Sequence, residues 1–363
     1  MRIGIDATKI LPPRDGIGNY TSELIGAMMR QESPHRFLLY GLVGPDDPAR
    51  FAESFPDCPD HFEIRRVYDP DPSEADLYHS LAHGFPPPWT GRSVFTCHDL
   101  TILTHAPFHT VENKVNCMLG MLRAHLRDTH FIAISQATTN ALQEVLGVPE
   151  DRISKVLSGR AEHFTRLEPA EIDRRLARFG LDRPFVLSVG TQEPRKNLLR
   201  LLKAYAALPE TVRQQYPLVI CGGSGWKHDA TEAFFKRPEL ADVRRLGRVS
   251  DDELVALYNA AAVFTFPSLA EGFGLPIVEA LACGTAVLTS NISSMPEIAG
   301  DAACLVDPHD VRSIQQGLLT LLTDDAERQR LESLSTAQAA RFSWRRTAAQ
   351  TLAVYDRVFE SAS

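Results

Sequence analysis

Short apolar runs alternate with helical patterns along almost the whole chain. In the first half the strand candidates are RIGID, RFLLYGLV, FEIRRV, DLYHS, SVFTCHD, HFIAIS and ISKVL. The second half repeats the scheme with FVLSVG, PLVICGG, VRRLGRV, AVFTFPS, TAVLTSN and AACLVD, and it ends in helical patterns from about Asp310 onward. Continuous apolar strands separated by helices are typical of parallel sheets covered on both faces. The pattern therefore predicts an α/β fold with two doubly wound sheets in series.

The alternation breaks once, between residues 158 and 184, where the chain reads SGRAEHFTRLEPAEIDRRLARFGLDRP. A chain of 363 residues is also longer than one core usually supports, so we expect two domains. We predict an N-terminal domain over residues 1–165, a C-terminal domain over 166–342 and a last segment over 343–363. Ligands of doubly wound sheets bind outside the carboxyl ends of the strands, and we expect these ends to face one central cleft.

The segment EGFGLPIVE follows a predicted strand and places two carboxylates around two glycines and a proline. Pro276 suits the first helical position and Gly284 suits a helix end, so PIVEALAC is predicted to be a helix. On this interpretation Glu279 lies in the first turn of that helix, and Glu271 lies in the loop before it.

The glycines of the same loop, Gly272 and Gly274, allow backbone N–H groups to approach a ligand beside a helix N-terminus, which favours anions such as phosphate. A carboxylate beside such a site commonly accepts hydrogen bonds from sugar or ribose hydroxyls. The structural alternative is that Glu279 only complements the helix dipole and that Glu271 is a solvated loop residue. The residues alone leave both interpretations open.

Two earlier loops also connect a predicted strand to a predicted helix. In ILPPRDGIGNYTSEL, Gly16 and Gly18 precede a helix from about Asn19, which is the form of a phosphate cradle or of an ordinary turn. In LSVGTQEPRKN, Gly190 ends a strand, and two adjacent cations precede the next helix. Cations at a helix N-terminus oppose its dipole, and an anion between them relieves the conflict.

The cations in question are Arg195 and Lys196, and we interpret them as a diphosphate clamp in preference to a solvated charge pair. His98 follows the strand of SVFTCHDL, where it either hydrogen-bonds a neighbouring carbonyl or contacts a sugar hydroxyl. In GRVSDDEL, a serine and a glutamate three residues apart predict a capping box. The backbone of Arg248 and Val249, just before it, lies where a flat base could rest.

Composition and charge exclude several classes of protein. The net charge of -8 argues against nucleic-acid binding, which relies on neutralising phosphates with cations. The six cysteines lack a C-x-x-C pair and nearby histidines at metal spacing, so we predict no metal site; they are Cys58, Cys97, Cys117, Cys221, Cys283 and Cys304. The N-terminus enters a strand directly, and no apolar run reaches about 18 residues, so we expect cytoplasmic residence.

One helical pattern, ENKVNCMLGMLRAHLRDT, has an apolar stripe between basic residues. Core packing accounts for Met118, Leu119, Met121 and Leu122, but a basic amphipathic face also suits peripheral contact with an anionic membrane surface. The sequence leaves both uses open.

Together these motifs resemble family-4 retaining glycosyltransferases of the GT-B fold, which have two Rossmann-like domains facing a central cleft. The similarity covers nearly the whole chain and rests on the glycine segment after the first strand, HDL, GTQEPRKN, GRVSDDEL and, above all, PSLAEGFGLPIVEALACGTAVLTSN. The resemblance implies an N-terminal acceptor domain, a C-terminal nucleotide-sugar donor domain, and a C-terminal helix that crosses back to the N-terminal domain.

The resemblance also implies roles for the candidate residues. Glu279 would hold the donor's ribose hydroxyls, and Glu271 would hold the transferred sugar. Arg195 and Lys196 would neutralise the departing diphosphate, and His98 would lie over the sugar near its anomeric carbon. The remaining donor-binding positions would be Gly16, Gly18, Gly190, Arg248, Val249, Gly272, Phe273, Gly274 and Leu275.

The implied activity is the transfer of a hexose, with retention and without a metal or other cofactor, from a nucleotide diphosphate sugar to a saccharide or lipid-linked acceptor. The motifs look most like bacterial mannosyl- and rhamnosyltransferases of surface-polysaccharide assembly, which favours GDP-mannose. UDP-sugar and dTDP-rhamnose donors are the alternatives. A non-catalytic hinged sugar binder and a dinucleotide oxidoreductase are weaker ones, the latter because its glycine loop would directly follow the first strand.

Two details concern the join between the domains. Many relatives carry Asn-Gly-Val-Asp after the last strand of the first domain, whereas this chain has SGRAEHF, so contacts there are expected to differ. In the last helix, the apolar contacts would come from Trp344, Leu352, Val354 and Phe359.

Overall fold

The structure is a computed structural model that describes residues 1–12, 14–67, 73–82, 91–109, 111–127, 129–181, 184–223, 225 and 229–360. Its strands are β1 (Arg2–Asp6), β2 (Arg36–Tyr40), β3 (Phe62–Arg65), β4 (Leu77–Ser80), β5 (Arg92–Cys97), β6 (His130–Ala133), β7 (Ile153–Lys155), β8 (Phe185–Val189), β9 (Leu218–Cys221), β10 (Arg244–Gly247), β11 (Ala261–Phe266), β12 (Val287–Ser290) and β13 (Ala303–Val306). Each of them overlaps a run that the apolar pattern predicts, and only β5 and β11 begin one residue before theirs.

The helices are α1 (Gly16–Met29), α2 (Asp47–Ser54), α3 (Thr101–Thr104), α4 (Val111–Leu126), α5 (Gln136–Leu146), α6 (Pro169–Leu176), α7 (Leu198–Ala206), α8 (Glu210–Gln215), α9 (Asp229–Phe234), α10 (Asp251–Ala260), α11 (Leu275–Ala282), α12 (Met295–Ala299), α13 (Val311–Thr323), α14 (Asp325–Ala339) and α15 (Trp344–Glu360). The chain divides into one unit of Met1–Gly159 with Ser343–Ser363, and a second unit of Arg160–Phe342. The division lies before the boundary at residue 165 that the sequence suggests.

Each unit contains one parallel sheet. The strand order is β3-β2-β1-β4-β5-β6-β7 in the first unit and β10-β9-β8-β11-β12-β13 in the second. The predicted doubly wound α/β fold is therefore confirmed for both units. In the second sheet the order reverses between β8 and β11, which pair in parallel with Leu187 opposite Phe264. Ligands of such sheets bind at this switch point, outside the carboxyl ends of the strands.

Two helices begin earlier than the sequence predicts. Helix α1 begins at Gly16 and not near Asn19, because the Asp15 side chain accepts a hydrogen bond from the backbone N–H of Gly18 and caps the helix there. Helix α11 begins at Leu275, so Pro276 occupies the second helical position. Glu279 consequently lies in the second turn and not in the first.

The last helix, α15, packs in the first unit against α1 and β5. Trp344 and Val354 are buried, and Leu352 and Phe359 are half-buried. A Cβ at Gly159 would lie 2.3 Å from the backbone nitrogen of Trp344, so only glycine fits where the SGRAEHF segment meets this helix.

A buried histidine that the sequence did not single out joins α15 to the sheet. His79 of β4 is fully buried, and its ring nitrogens hydrogen-bond the Tyr355 hydroxyl at 2.6 Å and the Thr96 hydroxyl at 2.8 Å. Burial, with a smaller contribution from the nearby His98, lowers the pKa of His79 to about 3. The imidazole is therefore neutral in the folded state at ordinary pH.

This histidine predicts a pH dependence of stability. Folding lowers the pKa of His79 from 6.5 to about 3. The neutral imidazole therefore contributes fully to the free energy of unfolding above pH 6.5. This contribution is lost as pH falls toward 3, by at most about 1.4 kcal/mol per pH unit. We expect His79→Gln, which cannot titrate, to flatten the fall in melting temperature between pH 7 and pH 4.5.

The matched control is His163→Gln at an exposed position, which should keep the wild-type slope. Equal slopes for His79→Gln and the wild type would contradict the assignment.

Candidate functional site

The candidate residues of the second unit gather where the loops after β8 and β11 meet. The loop after β8 contains a 3-10 turn, Pro194–Lys196, and α7 then begins at Leu198. The loop after β11 contains Glu271 and leads into α11. Because β8 and β11 are neighbours at the switch point of the sheet, residues 75 positions apart in the chain come into contact here.

A buried ion-pair network connects the two loops. The Lys196 Nζ atom donates to Oε1 of Glu271 at 2.8 Å, and the Arg195 guanidinium donates to Oε2 of the same carboxylate. Arg195 also donates to the Ala270 carbonyl at 2.9 Å and to the Glu193 carboxylate at 2.6 Å. The anion that the sequence predicts between the two cations is therefore, in this structure, a carboxylate of the protein itself.

The network sets the charge of its members. Burial raises the pKa of Glu271, but the charges of Arg195 and Lys196 outweigh that effect and hold the pKa at about 2. Burial lowers the pKa of Lys196, and the opposite charge of Glu271 opposes this shift. The Glu271 side chain is 8% exposed, so the alternative of a solvated loop residue is wrong.

A polar residue that the sequence did not single out holds the loop after β8. Asn197 has φ 61°, a left-handed conformation that asparagine tolerates better than most residues. Its buried side-chain amide donates to the carbonyls of Pro267 at 2.9 Å and Pro308 at 2.7 Å, and so joins the loops after three strands. Its place directly after the Arg-Lys pair is the sequence signal that could have identified it.

The loop after β11 is held from its other side by two serines. The Ser293 hydroxyl donates to the Glu271 carbonyl at 2.7 Å, and the Ser294 hydroxyl donates to the carbonyls of Glu271 and Phe273 at 3.0 and 2.8 Å. Gly274 has φ 104° and is the residue before α11, which explains why glycine is needed at that turn. The backbone from Gly272 to Leu275 is thereby fixed at the helix N-terminus.

Glu279 lies in a separate environment. Its side chain is half-buried and accepts a hydrogen bond from the Tyr258 hydroxyl at 2.9 Å. Desolvation raises the pKa of Glu279 to about 7, although the Tyr258 hydrogen bond lowers it. The carboxyl group can therefore change charge near neutral pH. Its contact with Tyr258 and its place in the second turn do not support a role confined to the helix dipole.

A shallow pocket opens beside the network at the carboxyl ends of β8 and β11. It is lined by residues that include Gly190, Thr191, Gln192, Lys196, Phe266 and Pro267. The backbones are close here: a Cβ at Gly222, whose φ is 136°, would lie 2.1 Å from the Gly190 carbonyl oxygen. The pocket thus combines a half-buried cation, Lys196, with polar side chains at the switch point.

The predicted base-contacting residues lie at the end of β10. Arg248 is exposed and its guanidinium lies near Gly223, while Val249 is half-buried. The predicted capping box follows them and is confirmed, with both the Ser250 hydroxyl and the Glu253 carboxylate accepting backbone hydrogen bonds.

The candidate residues of the first unit are His98, Gly16 and Gly18. His98 follows β5, and its Nε2 atom hydrogen-bonds the Leu81 carbonyl at 2.8 Å, as the structural interpretation expects. Its ring is perpendicular to the ring of Tyr20 in α1, and the two ring centroids are 4.8 Å apart. Gly16 and Gly18 lie in the first turn of α1, where the Asp15 carboxylate already accepts from the Gly18 N–H. The helix N-terminus therefore has an anion of the protein bound to it.

The possible metal ligands are scattered in the described parts of the chain. In the described ranges, His, Cys, Asp and Glu side chains do not form a group of three or more that could hold a metal ion. Metal independence stays a prediction.

The chain is similar to known glycosyltransferases. Residues 170–337 match the family described as glycosyl transferases group 1. The O-antigen chain mannosyltransferase B of Escherichia coli is 37% identical over 267 residues, which cover 73% of this chain and 70% of that protein. The serotype-specific mannosyltransferase WbdA of Escherichia coli is 34% identical over 283 residues, 76% of this chain but only 34% of WbdA.

The fold is also similar to solved structures. The Anabaena protein HepE, in complex with UDP and glucose, superimposes with a TM-score of 0.76 at 17% identity, covering 98% of this chain and 100% of HepE. At this identity the match shows the fold, and it confirms the GT-B architecture expected from the motifs.

The ion-pair network predicts a cost for neutralising Glu271. Glu271→Gln would leave two largely buried cations without their shared carboxylate, and we expect it to destabilise the second unit by about 3 kcal/mol. The measurement is the unfolding midpoint at neutral pH.

The matched control is Glu232→Gln, which breaks an exposed ion pair with Arg245 in the same unit and should change the midpoint little. A midpoint for Glu271→Gln equal to that of the control would contradict the network's structural role.

Proposed function

We propose that this chain, which belongs to the group 1 glycosyl transferases, transfers mannose from GDP-mannose to a saccharide or lipid-linked saccharide acceptor in O-antigen-type polysaccharide assembly. The observation that carries the proposal is the largely buried Arg195–Lys196 pair, with side chains 14% and 18% exposed, beside a pocket at the switch point of the second sheet. The mannosyl donor is proposed because the similar proteins from Escherichia coli are named mannosyltransferases.

The residues of the second unit would act mainly by charge and position. A diphosphate leaving group gains negative charge as its bond to the sugar breaks, and preorganised cations stabilise that charge without rearranging at the moment of reaction. Arg195 and Lys196 would supply these cations, and the N–H groups at the start of α11 would add their dipoles. Glu279 would accept hydrogen bonds from the ribose hydroxyls.

The donor must share the two cations with Glu271, because this carboxylate already binds both of them. In the donor complex Glu271 would keep the cations in place and accept hydrogen bonds from the sugar hydroxyls. It would position the sugar and not act as a base, since the paired cations keep its pKa at about 2.

The proposed reaction retains the configuration at the anomeric carbon. The acceptor oxygen bonds to that carbon on the face from which the phosphate oxygen departs, and the acceptor proton moves to the departing phosphate oxygen. His98 would hydrogen-bond the sugar near this carbon. No metal or other cofactor enters the proposed step.

The alternative donors are UDP-sugars and dTDP-rhamnose. One observation favours UDP: the similarly folded HepE was solved with UDP and glucose. Purine and pyrimidine bases differ in their hydrogen-bond donors and acceptors. The groups around Arg248 and Val249 would therefore select the base of the donor nucleotide. A non-catalytic sugar binder is disfavoured by membership of an enzyme family.

Thermal stabilisation by nucleotides tests the donor site. We expect GDP to raise the melting temperature of the full chain in the presence of a metal chelator, and GDP-mannose to be consumed when acceptor oligosaccharides are added. The stabilisation should reach about 2.7 kcal/mol at a hundredfold excess over Kd. If only UDP or only dTDP raised the melting temperature, that nucleotide would replace GDP in the proposed donor. If no nucleotide raised it, the proposed donor site would be wrong.

The proposed ribose contact predicts the effect of Glu279→Ala. Leaving two ribose hydroxyls unpaired should weaken GDP binding by about 1–3 kcal/mol, measured by calorimetry. Since desolvation raises the pKa of Glu279 to about 7, the wild type should bind GDP more tightly as pH rises from 6 to 8, and Glu279→Gln should not.

Dideoxy-GDP, which lacks both ribose hydroxyls, provides the control. The wild type should bind dideoxy-GDP more weakly than GDP. The Glu279→Ala variant should bind the two nucleotides with equal affinity. If Glu279→Ala bound dideoxy-GDP more weakly than the wild type does, Glu279 would contact a part of the nucleotide other than the ribose hydroxyls.

A further inference from the structure

Helix α4 exposes a row of large apolar side chains. Six of the ten exposed large hydrophobic residues of the described chain lie on this one helix: Val111, Val115, Met118, Leu119, Leu122 and Leu126. The end members, Val111 and Leu126, are 75% and 79% exposed. Their spacing of three or four residues places them on one face of the helix.

This exposed row is not the face that α4 uses in the core. The opposite side of the helix buries Cys117, Met121 and Ala124 in an apolar cluster with Phe95 and Phe131. The core-packing use that the sequence suggested therefore holds for Met121, but Met118, Leu119 and Leu122 point away from the core. Soluble helices normally place polar residues on that outer face, and a row of this size marks an interaction surface.

Cations flank the row on both sides. At about 100° per residue, Lys114 falls on one border of the apolar face and Arg123 on the other, and Arg127 follows at the end of the helix. Arg123 and Arg127 are exposed and Lys114 is half-buried. These cations stand out in a chain whose net charge is -8. An apolar row bordered by cations matches a surface of acyl chains beneath anionic head groups.

We propose that α4 docks in the plane of an anionic lipid bilayer, with its apolar row at the boundary of the acyl chains and with Lys114 and Arg123 on the lipid phosphates. None of the helices within the described ranges is long and apolar enough to cross a membrane, so the contact is with the surface. A second copy of the chain is a poorer occupant, because a twofold contact through this row would repeat the same bordering cations along one seam.

Vesicle flotation of the full chain tests the apolar row. We expect the wild type to float with vesicles of phosphatidylethanolamine and phosphatidylglycerol and to float less with phosphatidylcholine. Val115→Ser, Leu122→Ser and Leu126→Ser in one variant should lower the partition coefficient by more than about tenfold.

The matched control carries three serines at exposed apolar positions elsewhere, replacing Val145, Leu305 and Leu334. It should float like the wild type. Equal losses for the control and the α4 variant would contradict a specific role for α4.

A charge variant, Lys114→Gln with Arg123→Gln, separates the electrostatic contribution. We expect roughly thirtyfold weaker binding to the anionic vesicles, with little change on phosphatidylcholine. The paired control, Lys236→Gln with Arg237→Gln, removes two exposed cations from the second unit and should bind as the wild type does.

Two results would overturn the proposal. One is a wild type that does not bind the anionic vesicles. The other is a wild type that is a dimer and an α4 serine variant that is a monomer, which would assign the row to contact with a second copy.

The nucleotide-induced thermal shift of the serine variant should stay unchanged. This measurement separates a failure of membrane docking from a failure of the proposed transferase function.

Discussion

The second unit depends on one buried carboxylate that two cations share. Glu271 binds both Lys196 and Arg195, and Arg195 also binds Glu193 and the Ala270 carbonyl. Burying such charges is costly unless each of them is paired, so the loops after β8 and β11 can be buried only together. The same pairing keeps the two cations in place before any ligand arrives. The structural requirement and the electrostatic preorganisation proposed for catalysis thus rest on the same atoms.

Neutral hydrogen bonds complete this arrangement. Asn197 joins the loops after β8, β11 and β13 through two carbonyls, and Ser293 and Ser294 hold the turn before α11. All of these side chains donate to backbone carbonyls of the loops. The loops at the switch point are therefore held by side-chain hydrogen bonds as well as by the ion pairs. A site built on such loops loses little entropy when it binds its ligand.

The first unit is built from both ends of the chain. His79 of β4 bonds Tyr355 of α15, and Gly159 allows the backbone of Trp344 to approach closely. The first unit is therefore complete only with residues from both ends of the chain, and experiments on it need the full chain. On the outside of this unit, α4 has an apolar row that its own core does not use, and the proposed docking would place that row on a lipid surface.

The sequence by itself determined the elements and their class. Strands buried on both faces must be apolar throughout, so the inner strands left a clear local signal, as did the capping box at Ser250. The motifs also indicated which loops carry chemistry. Only the tertiary structure decided which residues meet: Glu271 with Lys196 across 75 positions, and His79 with Tyr355 across 276. Strand order determines these pairs, and no local pattern contains it. It also decided that Glu279 lies in a second helical turn, because the bend at Gly274 and not the proline determines where α11 begins.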